Sequence, residues 1–254
     1  MKQLILITIF MLTLSAINAL AQEPPGNKLM KPEDTEYYKP VPKVVTPGKS
    51  QADPPSDAIV LFGGKNLDQW VNAKTGAPAG WTVSNGIMTI KPGSGDIRTK
   101  QSFGDFQLHI EWRAPYPPKG EGQGRGNSGV YLQSLYELQV LDSYNSKTYV
   151  NGQAGSIYKE YPPLVNACRP PGQWQSYDVI FTAPRFNDDG TVKNPARVTA
   201  FQNGVLIQNN VKLKGRTLYI GHPYYEKHGP MPLLLQDHHN PVSYRNIWIR
   251  PLSD

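Results

Sequence analysis

Proton-transfer and hydrogen-bonding side chains stand in unusual places in this sequence, on strands that are otherwise apolar. In "YELQVLDSY" (136–144), Tyr, Leu and Val mark a strand, yet Glu137, Gln139 and Asp142 stand among them. Alternate residues of a strand share a face. Glu137, Gln139 and Leu141 therefore share one side, and Tyr136, Leu138 and Val140 the other. A carboxylate and an amide on one face can carry a proton and bond hydroxyls. They also suit a half-buried strand whose polar face meets water. Asp142 has the opposite parity and joins that face only through a bulge or the strand end; otherwise it supports the following loop. "PLLLQDHHNP" (232–241) puts Gln236, His238 and His239 directly after a second apolar run. Imidazole titrates near neutrality, although a lone His is usually structural. Cys168, the single cysteine, sits in the turn-like "NACRPPG" with no local base, so neither a disulfide nor a thiol nucleophile is expected.

The elements that must position these groups are strands. "AIVLF" (58–62), "WTVSNGIMTI" (81–90), "DFQLHIEWR" (105–113), "SGVYLQS" (128–134), "SYDVIFTA" (176–183), "ARVTAFQNGVLIQ" (196–208) and "SYRNIWIRP" (243–251) complete the set. Two contain Asn-Gly, a favoured hairpin turn. In 105–113, Phe106, Leu108, Ile110 and Trp112 alternate with His109, Glu111 and Arg113. No amphipathic helix longer than two turns appears, and no period of 20–50 residues recurs, which excludes a propeller or solenoid. Short strands between Gly and Pro turns predict an all-β sandwich or jelly roll of two antiparallel sheets. Glu111, Arg113, Glu137 and Gln139 are expected together on one polar face. The glycine-rich "KGEGQGRGNSGVYLQ" (119–133) lacks a G-K-[ST] ending and leads into a strand, so it is no phosphate loop but a rim loop of the kind that lines binding sites.

The N-terminus divides into two further regions. Residues 1–21 read as a signal peptide: Lys2, an apolar run from Leu4 to Leu14, and an A-x-A pattern ending at Ala21. The run is too short for a membrane span. No cysteine follows to carry a lipid, so the expected destination is the periplasm or the exterior. Residues 22–57 hold eight prolines and no periodicity, the pattern of an extended arm or a surface strap. The remaining domain, 58–254, is long enough for a sizeable core. The net charge of +6 is scattered rather than clustered, which argues against a nucleic-acid partner.

Seven motifs occur in order across residues 61–252: "LFGGKNLDQW", "FGDFQLHIEWR", "GNSGVYLQ", "YELQVLD", "PPGQWQSYDV", "NGVLI" and "LLLQDHHNPVSYRNIWIRPL". Together they resemble the 3-keto-disaccharide hydrolase domain family. The resemblance implies a concanavalin-like jelly-roll sandwich and an exported protein acting on an oligosaccharide or glycoside. A ketone at C3 acidifies the C2 hydrogen; a base removes it, and the C1–O bond breaks by β-elimination. Water then adds, or the reaction stops as a lyase. On this resemblance Glu137 is the base or a metal ligand, with pairing to Arg113 as its structural alternative. His238 is the proton shuttle or a second metal ligand, with a divalent ion as a possible cofactor. Arg113, Asn127, Ser128, Gln139, Gln236 and Trp174 are assigned to sugar binding. His239 replaces the Gly common in the pattern, and "AGSIYKEYPP" (154–163) departs from a shorter Gly-rich one. The alternative is a non-catalytic carbohydrate-binding module on the same fold. An ordinary retaining glucanase would need a second carboxylate about 5 Å away. The relatives of that type carry an acidic residue where Gln139 stands.

Overall fold

The computed structural model describes residues 30–252; the signal-peptide segment and residues 22–29 of the arm lie outside them. Strands dominate, and the only helical pieces among the described residues are single 3-10 turns. In chain order the strands are β1 (Ile59–Phe62), β2 (Trp70–Asn72), β3 (Thr82–Ser84), β4 (Ile87–Thr89) and β5 (Ile97–Phe103). There follow β6 (Phe106–Arg113), β7 (Ser128–Leu132), β8 (Tyr136–Val140), β9 (Gln175–Thr182) and β10 (Arg185–Phe186). The last five are β11 (Val192–Asn194), β12 (Arg197–Gln202), β13 (Val205–Lys212), β14 (Met231–Leu235) and β15 (Ser243–Pro251).

They form two antiparallel sheets and one small hairpin, β10–β11. The large sheet runs β13-β12-β9-β6-β15-β4-β3, with β1 also on β15; the small sheet runs β2-β5-β14-β7-β8. The predicted alternation holds. Phe106, Leu108, Ile110 and Trp112 of β6 are buried with Tyr136, Leu138 and Val140 of β8, and Tyr136 meets Phe181 of β9 at 5.8 Å between ring centroids. Two hydroxyls tie the layers across this core. Tyr177 donates to the Gln139 carbonyl (2.7 Å), and Tyr244 donates to Ser128 Oγ (2.7 Å). The molecule is a β-sandwich.

Strand β8 is the edge of the small sheet, and its outward backbone groups are satisfied. Gln139 N donates to Ser156 O (2.9 Å) and Tyr158 N to Glu137 O (3.1 Å), while Glu137 N reaches Thr217 Oγ1 (2.9 Å). Loops pin the strand that carries the key carboxyl, and an unprotected edge is removed.

The chain separates at Val44 into a short N-terminal unit and the sandwich unit Val45–Asp254. The described residues of the N-terminal unit include a 3-10 turn, Pro32–Thr35, closed by Lys31 N donating to Asp34 Oδ2 (2.9 Å). Residues 45–57, the second part of the Pro-rich arm, form a strap on the outer face of the large sheet. The Ala52 carbonyl accepts from Trp248 Nε1 (2.9 Å) and Asn246 Nδ2 (2.9 Å), and Asp57 pairs with Arg250 (2.8 Å). Among the described residues no helix is long and apolar enough to cross a membrane.

Candidate active site

The outer face of the small sheet forms the floor of a cleft of about 590 Å³. Register places Arg98, Leu234, Tyr131 and Glu137 in one row across β5, β14, β7 and β8. Tyr131, Glu137, Gln139 and Gln236 line the cleft from this sheet. The glycine-rich loop contributes Gln123, Gly124 and Asn127. Tyr149, Tyr158 and Lys159 stand on one rim, with Thr217, Tyr219 and His238 completing the wall.

Glu137 is only 3 % exposed, so it lies beneath the cleft surface rather than on a solvated face as expected. Tyr131 donates its hydroxyl to Glu137 Oε2 (2.9 Å). Burial pushes the Glu137 carboxyl up to about 8; the Tyr131 bond pulls against that, and the nearby Asp96 carboxylate adds to it. Burial also raises Tyr131, so it remains a neutral donor. No cation pairs with Glu137 among the described residues, which is why desolvation wins.

The Gln139 amide meets Glu137 in either of its two orientations. In one amide orientation its Nε2 donates to Gln123 Oε1 (3.1 Å) and Asn127 Oδ1 (3.4 Å). Its oxygen then stands 2.9 Å from Glu137 Oε1, which requires a proton between them. The reverse orientation donates to Glu137 Oε1 (2.9 Å) and Ser128 O (3.3 Å), as an ionised carboxylate would favour. The amide can therefore serve either state of the acid.

Gly129 makes room for this group. A Cβ there would lie 2.5 Å from Glu137 Oε1 and 2.8 Å from Tyr131 Cε2. Gln236 points its Nε2 at the Tyr131 hydroxyl (3.4 Å), while its buried Oε1 has no hydrogen-bond partner. His238 is exposed and lines the same cleft. Half-buried Asp96 feels Asp237 and His238 together, with burial raising its carboxyl.

Of the residues assigned from sequence, Glu137, Gln139, Asn127, Gln236 and His238 meet in this cleft. Three do not. Ser128 has the parity of Val130 and points between the sheets, donating to Gln236 O (2.6 Å). Arg113 and Trp174 belong to the large sheet side, where the Arg113 guanidinium lies 4.6 Å from the Trp174 ring. Glu111 is there too, bonded to Arg245 (2.6 Å), so the expected single polar face is in fact two. Strand parity predicts which side of a sheet a residue takes, not which sheet. Asp142 supports its loop through Arg125 (2.7 Å). Tyr131 was overlooked, although its parity with Gly129 was available. Gln123 comes from the glycine-rich loop read as the rim of a binding site, whereas Tyr149, Tyr158, Lys159 and Tyr219 come from loops without periodicity.

The donor set does not fit a resident divalent ion. Among the described residues no group of three or more His, Cys, Asp or Glu side chains gathers to hold one.

A family model described as the 3-keto-alpha-glucoside-1,2-lyase-like domain matches residues 57–250. The chain belongs to this family. A crystal structure of a provisionally assigned glycosyl hydrolase from Parabacteroides distasonis ATCC 8503 is 52% identical, with a TM-score of 0.84 over 88% of this chain and 97% of that one. A second structure from that organism shares the fold at 22% identity, with a TM-score of 0.58 over 77% of this chain and 94% of that one. No curated protein matches the sequence. In this chain Glu137 is the sole carboxylate lining the cleft among the described residues. A two-carboxylate glucanase site is thereby left without its second member.

Proposed function

We propose that this cleft breaks the glycosidic bond of 3-keto-glycosides by β-elimination, on a concanavalin-like jelly roll exported to the periplasm or beyond. The observation that carries the reading is Glu137, a buried carboxyl raised to about 8 on the floor of a polar cleft. Such a group is a strong base once ionised, and its value lies close to working pH.

Ionised Glu137 takes the proton from C2, and the electron pair forms the enolate of the C3 ketone. The pair then re-forms the ketone as a C1=C2 double bond develops and the C1–O bond breaks. The departing oxygen receives a proton from His238 at the mouth of the cleft. Addition of water at C1 gives net hydrolysis; its omission gives the lyase outcome. Charge on the enolate oxygen is met by the Lys159 ammonium on the rim of the cleft. The binding-module alternative asks for aromatic platforms with no convergent carboxylate, and the cleft has a carboxyl at its floor.

The test compares 4-nitrophenyl glucoside with its 3-keto derivative. Ketone-dependent release of nitrophenol is expected, with a rate that rises with pH toward about 8 as Glu137 ionises. Equal cleavage of the unoxidised glucoside, or no release from the ketone, overturns the reading. Deuterium at C2 should slow the reaction where proton removal limits it.

A further inference from the structure

Arg113 and Trp174, absent from the cleft, stand together on the outer face of the large sheet. We propose that they form a second ligand site there, one that binds the carboxylate of an acidic glycan. Two guanidinium groups share the Trp174 ring: Arg113 at 4.6 Å and Arg245 at 4.2 Å from its centroid. Arg169 adds a third, donating through Nη1 to the Trp174 carbonyl (2.9 Å). A pocket of about 320 Å³ opens beside Trp174, Arg169 and Arg245, with strap residues Gln51 and Ala52 forming part of its wall.

The pocket lining carries Glu111 and Asp178 against Arg169 and Arg245, and the excess positive charge comes from Arg113, which lies over the Trp174 ring beside that lining. Glu111 is engaged by Arg245 Nε (2.6 Å) and Asn246 Nδ2 (3.0 Å). Asp178 is engaged by His109 Nδ1 (2.6 Å). Arg113 and Arg169 have no carboxylate partner among the described residues, and Arg113 makes no hydrogen bond there. Stacking on an indole uses the face of a guanidinium and leaves its N–H fork in the plane. A planar carboxylate matches that fork with two parallel bonds, and its charge relieves the repulsion among three neighbouring cations.

A second, polar observation favours a glycan over a bare anion. His109 is 2 % exposed and lines the pocket, yet its Nε2 has no hydrogen-bond partner; Glu111 Oε1 is 3.6 Å away. Ser176 lines the same pocket. Guanidinium donors for a carboxylate beside unspent side-chain groups for hydroxyls are the complement of a uronate sugar. The site lies on the sheet opposite Glu137, so it acts in binding and leaves the cleft chemistry alone.

Calorimetric titration with trigalacturonate, its methyl ester and a single-stranded oligonucleotide tests the proposal on the full domain. Trigalacturonate should bind, with affinity falling as salt rises. Arg113→Gln and Trp174→Ala should each weaken it by about tenfold or more, and Arg113→Lys should restore only part, because charge returns without the fork. Glu137→Gln should leave this binding unchanged, and Arg113→Gln should leave cleavage of the 3-keto glucoside unchanged. Absence of binding, equal binding of the ester or the oligonucleotide, or wild-type affinity in both Arg113 variants overturns the site.

Discussion

Glu137 and Glu111 make an instructive pair, because each is a mid-strand carboxylate on the outer face of a sheet. Glu111 is held by Arg245 and Asn246, and its carboxyl lies below the ordinary value even though burial opposes this. Glu137 has a tyrosine, an amide and no cation, and burial drives it up to about 8. The two faces differ in what covers them. A strap bonded to Trp248 and Asn246 lies against the large sheet, whereas loops carrying Tyr and Gly frame a cleft on the small one. A paired carboxylate is architecture; an unpaired buried one holds free energy that chemistry can use.

The largest expected effect on this contrast is on turnover. Glu137→Gln should lower 3-keto-glycoside cleavage by about 10²–10⁴-fold, while Glu111→Gln should leave kcat within a few fold. Equal losses in the two variants would mean that the faces are not functionally distinct.

Stability should move in opposite directions. Between the ordinary value of 4.5 and about 8, the folded chain keeps the Glu137 proton that the unfolded chain has lost. Wild-type stability therefore declines across that window relative to Glu137→Gln. Chemical denaturation should show the variants equal below pH 4.5 and the Gln form favoured by up to about 4 kcal/mol near pH 8. Glu111 has the opposite sign: its contribution is present above its unfolded value and is lost as pH falls through the lowered folded one. Glu111→Gln should cost about 2 kcal/mol at neutral pH.

A smaller effect sharpens the geometry. Gly129→Ala places a methyl in the space of the Glu137 carboxyl, 2.5 Å from Oε1. Displacement of a catalytic group by about 1 Å costs about 10²-fold, so activity should fall by roughly that factor with the fold retained by circular dichroism. Unchanged activity would show that the carboxyl position is not critical.

Smallest of all, deletion of residues 45–57 removes the bonds to Ala52 and Asp57 and should destabilise the domain by about 1–3 kcal/mol. Cleft activity should persist. Loss of a cooperative unfolding transition would instead make the strap part of the folding unit.

Much of this arrangement was legible before the fold was known. The alternation in "DFQLHIEWR" and "YELQVLD" assigns inner and outer residues correctly, because a strand has period two and the sandwich buries one face of each. The same rule set Glu137 and Gln139 beside one another and Asp142 apart. It was silent on Arg113, whose parity fitted the cleft although β6 lies in the other sheet. Ser128 misled for another reason. Its polarity suggested a sugar contact, but the Tyr244 hydroxyl gives it a partner inside the core (2.7 Å).

By itself the sequence determined a β-sandwich, its family, and a carboxyl–amide pair on one strand face, since all three are written in local periodicity and ordered motifs. Only the tertiary structure decided which faces became sites. Sheet membership depends on pairings between strands distant in the chain, and the carboxyl's affinity for its proton depends on everything that excludes water from it. Glu111 and Glu137 are the same residue in similar local patterns. An arginine brought by β15 fastens the first, and its absence beside β8 leaves the second able to exchange a proton.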